Sequence, residues 1–265
     1  ATIRMYTAAD ETVGSLIRRG VWSPPAAAFL WALAQVRGSV LFAGPTGAGK
    51  TTALGAFLRA VPRDQCVRVV EEVRELIVPL SLHSSFYEAS GVSLSGQRRY
   101  TLRDLIKVCL AMRVDMLCVG EVRGGEAFEL IRAVNAGGGF SCTIHSHSAQ
   151  RALTSLVSAA EMSAEEVPDH TLRSIFSEAL DVVVYLDRHI TKGGGSHREC
   201  REIILVNPIT DGRSTWNTEP LFERQGGELR WSGLMPDADL TSRIDRVLPD
   251  GVTLPMVLDG EWSPE

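Results

Sequence analysis

The strongest chemistry in the chain sits in nine consecutive residues, Gly44, Pro45, Thr46, Gly47, Ala48, Gly49, Lys50, Thr51 and Thr52. Glycines spaced through a turn let the backbone curl until several N–H groups aim at one point. A lysine followed by a hydroxyl residue adds a cation and a metal-binding oxygen. The chemistry is phosphate binding. Backbone amides and a helix N-terminus hold the anion, Lys50 reaches the β- and γ-phosphates, and the Thr51 hydroxyl holds Mg²⁺. The pattern is diagnostic only between a strand and a helix. Its flanks fit: residues 39–43 read as a buried strand, and 53–60 as a helix with Leu54, Phe57 and Leu58 on one side.

Three further features stand at the C-terminal ends of predicted strands, the edge where open α/β sheets bind ligands. Glu71 and Glu72 end one strand, Glu121 another, and His145 and His147 follow a third. If these strands flank the P-loop strand, all converge on a γ-phosphate. One carboxylate there can polarise an attacking water, and another can hold a water of the Mg²⁺ shell. Singly, each Glu reads as well as a partner of Arg68, Arg74 or Arg123. Three such features beside one P-loop favour chemistry. His145 and His147 share a face by period two, but no Cys or third His lies at ligand spacing, so they do not read as a zinc site.

The elements that must position these residues follow from the hydrophobic spacing. Residues 12–19 and 26–34 read as helices, the first closed by Gly20 and the second opened by Pro24-Pro25. Residues 67–72 and 116–122 are short strands, and 79–96 is irregular or weakly stranded. Thr101 opens a helix with Asp104 as in a capping box. Leu102, Leu105, Ile106, Cys109 and Met112 are its buried stripe, and Arg103, Asp104 and Lys107 face out. Further helices are expected at 126–135, with Phe128, Ile131 and Val134 inward, at 149–160, and from Pro168. Strands are expected at 140–145 and 182–186. Apolar strands alternating with helices imply a parallel sheet covered on both faces. After Asp187, residues 203–206, 216–222 and 229–231 suggest antiparallel strands. The tail from Pro236, rich in Pro, Asp and Gly, reads as loosely held. The organisation expected is a linker and helical lead-in at 1–38, a P-loop core at 39–190, and a β-rich appendage with a loose tail at 191–265.

With 265 residues and a 45% hydrophobic share, the chain can bury a substantial core. The formal net charge of -5 argues against a nucleic-acid binder working by bulk charge. Cys66, Cys109, Cys118, Cys142 and Cys200 are scattered and mostly within apolar runs, as expected of small core residues in a reducing compartment. No segment has the length of a transmembrane helix, and no signal peptide is evident. The chain does not begin with Met, and its first residues read as a strand entered mid-protein, as if cut from a longer chain.

Four boxes together resemble the secretion or traffic ATPases that power type II and type IV secretion and type IV and Flp/Tad pilus assembly. They are the P-loop, Val69-Val70-Glu71-Glu72-Val73-Arg74-Glu75-Leu76, Val119-Gly120-Glu121-Val122-Arg123-Gly124-Gly125-Glu126-Ala127, and Thr143-Ile144-His145-Ser146. The resemblance runs from about Ile3 to Leu186. It implies a RecA-like P-loop NTPase, ATP with Mg²⁺, and hydrolysis to ADP and phosphate. By position it implies that Glu71 is the catalytic carboxylate, that Glu72 replaces a usual Asp, that Glu121 is a Walker B glutamate near Mg²⁺, and that His145 is the retained histidine of the His box. Arg113 matches an arginine that precedes the Walker B strand. Arg98 and Arg99 match an Arg-bearing loop; either reaches phosphate or forms a solvated basic surface. The resemblance also implies a homohexamer in the full-length protein, a membrane-embedded platform partner, and a place at the cytoplasmic face of the membrane.

Two departures stand out. Gly137-Gly138-Gly139 occupies the place of a family Gly-His pair, and this segment is expected not to include the family's amino-terminal domain. They leave a nucleotide-switched scaffold as a second reading. A DNA motor is a third, disfavoured by the acidic charge and by the lack of a Lys/Arg-rich face.

Overall fold

Apolar runs separated by turn residues produce strands and helices that alternate through the middle of the chain. The computed structural model describes residues 11–76, 83–89, 100–163, 165–190, 194–209 and 215–264. In chain order the elements are α1 (Val13–Arg18), α2 (Pro24–Gln35), β1 (Val40–Gly44), α3 (Lys50–Leu58), β2 (Cys66–Glu71), β3 (His83–Glu88), α4 (Leu102–Ala111), β4 (Met116–Val119), α5 (Ala127–Asn135), β5 (Gly139–His145), α6 (Ala149–Glu161), α7 (Asp169–Ala179), β6 (Val182–Ile190), β7 (Ser196–Asn207), β8 (Asn217–Gln225), β9 (Glu228–Trp231), α8 (Ala238–Asp245) and α9 (Leu254–Asp259). The local signals operate as expected. Thr101 and Asp104 cap α4 reciprocally, and Pro24 and Pro25 occupy the first turn of α2.

One sheet carries nine strands in the order β3-β2-β4-β5-β1-β6-β7-β8-β9. From β3 to β6 the pairing is parallel, and β7, β8 and β9 continue it antiparallel. Alternate residues of each central strand enter opposite cores. Val40 and Phe42 join the core under α1, α2 and α3, whereas Leu41 and Ala43 join the one under α4 to α7. Strands buried on both faces must be apolar throughout, which is why β1 reads as a continuous hydrophobic run. Among the described residues no helix is long and apolar enough to cross a membrane.

Several expectations are corrected. Of the three site-bearing strands only β5 flanks β1; β4 and β2 stand second and third from it. Met112 is 37% exposed, because the backbone leaves the helix there in an extended conformation. Arg103 does not face out: its Nε donates at 2.8 Å to Glu129, a fully buried carboxylate on α5. The interior of α5 is built by Leu130, Ile131 and Ala133, with Phe128 and Val134 only half buried.

The tail is packed rather than loose. Asp237 caps α8, and Leu240, Ile244, Leu254, Val257 and Leu258 are buried in the α2 core. Arg243 of α8 meets Asp181 at 2.9 Å, and the same carboxylate accepts the Ser39 N–H at 2.6 Å. The tail thus ties the starts of β1 and β6 together. Gly139 opens β5 where no side chain fits, since a Cβ there would lie 2.0 Å from the Arg37 carbonyl oxygen. Four of the five cysteines are buried and Cys66 is half buried; all are free thiols.

Candidate functional site

The P-loop leaves β1 and enters α3 through Gly49, whose φ of 95° lies in the left-handed region that glycine adopts without strain. This turn starts the helix at Lys50, three residues before the start read from the sequence. The P-loop and the α3 N-terminus therefore stand together at the C-terminal end of β1. Lys50 is buried. Its Nζ donates to the carbonyls of Gly44 at 2.9 Å and Pro45 at 3.2 Å and lies 3.1 Å from His145 Nδ1. Burial pushes the Lys50 ammonium down to about 8, against the opposing charge of Glu121.

From His145 the contacts continue. Its Nε2 lies 2.7 Å from Glu121 Oε1, and Glu121 Oε2 accepts from Arg123 Nη2 at 2.5 Å. Arg123 Nη1 in turn donates to Glu72 at 2.9 Å. Burial and the Lys50 charge hold the His145 imidazole below its ordinary range, while Glu121 raises it. Backbone bonds fix this line. Gly120 N donates to Val70 O, Val122 N to Thr143 O, and Thr143 Oγ1 to Gly120 O at 2.7 Å. Glu126 turns the loop by accepting from the amides of Arg123 and Gly124.

Glu71 stands apart from that line. It is buried at the end of β2, where Oε1 accepts the Glu75 and Leu76 amides at 3.1 Å each. Its side chain lies against Gly120, where a Cβ would come within 2.7 Å of Glu71 Cγ. Desolvation raises its carboxyl above the usual range, with the two amide bonds opposing. A raised carboxyl suits a general base.

The structure thus brings together Lys50, His145, Glu121 and Glu72, with Thr51 and Thr52 half buried in the first turn of α3. Arg113 precedes β4, as the sequence places it, pairs with Asp115 at 3.4 Å, and lies at the sheet edge opposite the P-loop. The four residues of β4 alone span about 13 Å, and Arg113 and Glu121 lie beyond its opposite ends. Arg98 and Arg99 lie outside the described residues. His147 is exposed and takes no part in the contact line.

Two residues were missed by sequence reasoning, Arg188 of β6 and Arg198 of β7, which are register partners. Arg198 Nε donates to Gly47 O at 2.8 Å, and Arg188 Nη1 lies 2.9 Å from the point a Cβ on Gly47 would occupy. The one available signal was the hairpin-like return after β6, which places one arginine of each strand near the P-loop mouth.

Comparison with known proteins fits this geometry. The family model described as "Type II/IV secretion system protein" matches residues 1–200. A putative conjugal transfer protein of Mycobacterium tuberculosis is 36% identical over 147 residues, which cover 55% of this chain and 42% of that protein. The type IV secretion system protein PtlH of Bordetella pertussis is 32% identical over 182 residues, 66% of this chain and 52% of its own length. The crystal structure of the VirB11 ATPase from the Brucella suis type IV secretion system, in complex with sulphate, superposes with a TM-score of 0.59 at 26% identity, covering 72% of this chain and 54% of that one. The pilus retraction motor PilT shares the fold, with a TM-score of 0.51 at 20% identity over 68% of this chain and 51% of that one. The chain spans about half the length of these relatives. The chain belongs to the type II/IV secretion system protein family.

Proposed function

We propose that the chain is the ATP-hydrolysing domain of a secretion, conjugation or pilus-assembly motor. The single observation that carries this reading is the contact line Lys50–His145–Glu121, which joins the P-loop lysine to two groups at the ends of β5 and β4. The P-loop amides of Gly44 to Thr52 and the Lys50 ammonium hold the triphosphate. ATP replaces the Gly44 and Pro45 carbonyls as the partner of Lys50. A water oxygen attacks the γ-phosphorus, its proton passes to Glu71, and the β–γ bridging oxygen leaves with ADP.

The Thr51 hydroxyl and the partly exposed Glu121 carboxylate are hard oxygen donors suited to Mg²⁺. When bound, the ion neutralises charge on the β- and γ-oxygens. Arg123 and His145 orient Glu121 toward that position. In the intact protein, six copies form a ring at the cytoplasmic face of the membrane against a membrane-embedded platform, without direct contact to nucleic acid.

A second reading, a nucleotide-switched scaffold, rests on Gly139, whose surroundings leave no room for a histidine side chain. Steady-state phosphate release from Mg-ATP separates the two. Release by the wild type well above the Lys50→Ala level supports the motor, and release no higher than that level supports the scaffold.

A further inference from the structure

The β6–β7 hairpin places two guanidinium groups against the P-loop from the side opposite His145. Arg188 and Arg198 face each other across the antiparallel pair, and both are exposed. Like charges directly opposite on neighbouring strands repel. Among the described residues neither guanidinium meets a carboxylate. The carboxylates next to them in sequence are engaged elsewhere. Glu199 holds His189 at 2.8 Å, Arg201 at 2.8 Å and Arg224 at 3.4 Å, and Asp187 lies 3.7 Å from His189. Alternation along the strands turns Asp187 and Glu199 to the face opposite the two arginines.

The positive pair therefore has no anion of its own, and it borders the anion site of the P-loop. Arg198 uses Nε on Gly47 O, and among the described residues its two Nη groups have no hydrogen-bond partner. The side chain of Arg198 also borders Gly49, where a Cβ would lie 3.5 Å from Arg198 Cδ.

We propose that Arg188 and Arg198 are nucleotide-binding residues that clamp the phosphates of ATP from the β6–β7 flank. Lys50 and His145 face the same phosphates from the β1–β5 side. This rests on the reading of the P-loop as an ATP site. Charge-assisted bonds from guanidinium to phosphate are short and directional, so two such groups add both affinity and register.

The test uses purified protein as wild type, Arg188→Ala, Arg198→Ala, the double variant and Lys50→Ala. Calorimetry gives the affinities for ATP and ADP, and thermal melting gives the stability without nucleotide. Each single arginine variant is expected to weaken ATP binding about tenfold, and ADP binding less. The melting temperature of the free protein should stay level or rise, since a like-charge pair has been relieved. An ATP affinity of the double variant within about twofold of wild type would overturn the clamp. So would a fall in the free protein's melting temperature that accounts for the affinity change, which would mark the arginines as structural. If Lys50→Ala loses ATP binding while the double variant keeps it, the clamp alone fails. If the wild type shows no Lys50-dependent binding, the ATP site and the clamp fail together.

Discussion

On the β5 side of the P-loop the polar groups form one connected line: the Lys50 ammonium against the His145 ring nitrogen, His145 against Glu121, and Glu121 and Glu72 against Arg123. On the β6 side Arg188 and Arg198 face each other and the P-loop backbone, and among the described residues neither guanidinium meets a carboxylate. The first flank is neutralised from within, so a nucleotide arriving there exchanges partners instead of supplying the first one. The second flank offers positive charge with no internal answer. Charges that must orient a reacting centre are held by neighbours before the ligand comes. Charges that only attract can wait unpaired at the surface, where water screens them.

The largest way to break this contrast is Lys50→Ala. It removes the cation at the head of the paired flank and should cost about 2–5 kcal/mol of ATP affinity, measured by calorimetry. Affinity near the wild-type value would mean that the loop amides alone hold the phosphates.

Next comes Arg243→Ala, which leaves the Asp181 carboxylate without its cation at the start of β6. Burial already raises that carboxyl, with Arg243 opposing. Urea unfolding should show a loss of about 1–3 kcal/mol. An unchanged midpoint would show that α8 does not brace the β1–β6 junction.

The pH dependence is smaller and has a definite sign. Lys50 is held at about 8 in the folded protein against an ordinary 10.5, so the folded state binds that proton more weakly than the unfolded chain. ATP affinity should be flat near neutrality and fall as pH rises through about 8, by at most tenfold per pH unit, because the bound phosphate requires the ammonium. The stability of the free protein moves the other way. The penalty on the buried ammonium is relieved as pH rises from about 8 toward 10.5. Calorimetry and urea titration across that range check both slopes.

The smallest effect expected is Glu72→Gln. The Glu72–Arg123 pair is more than half exposed on both sides, so its loss should change stability by no more than about 1 kcal/mol. A larger change in urea unfolding would mean that the outer end of the paired flank is structural.

Much of the paired flank was legible in the sequence, because its signals are local. The glycines and Lys50-Thr51 lie within one turn. Glu71, Glu121 and His145 each follow an apolar run. The order of the strands was not legible: hydrophobic spacing does not say that, of the three site-bearing strands, only β5 adjoins β1 while β4 and β2 stand beyond it. The unpaired flank depends on antiparallel register, and nothing local announces that Arg188 faces Arg198. The tail was misread because composition was weighed above spacing. Asp237 ahead of Leu240 and Ile244, and Leu254 ahead of Val257 and Leu258, already carry a cap and helical periodicity.

We propose that the buried, amide-bonded Glu71 carboxylate takes the proton from the water that attacks ATP. Glu71→Gln keeps the shape and the two amide contacts while removing the base. Rapid-quench measurement of ATP cleavage by the wild type and by Glu71→Gln, with ATP affinity measured alongside, tests the claim directly. The account predicts near wild-type affinity with cleavage slowed by about 10²–10⁴-fold. Cleavage at the wild-type rate in Glu71→Gln would contradict it.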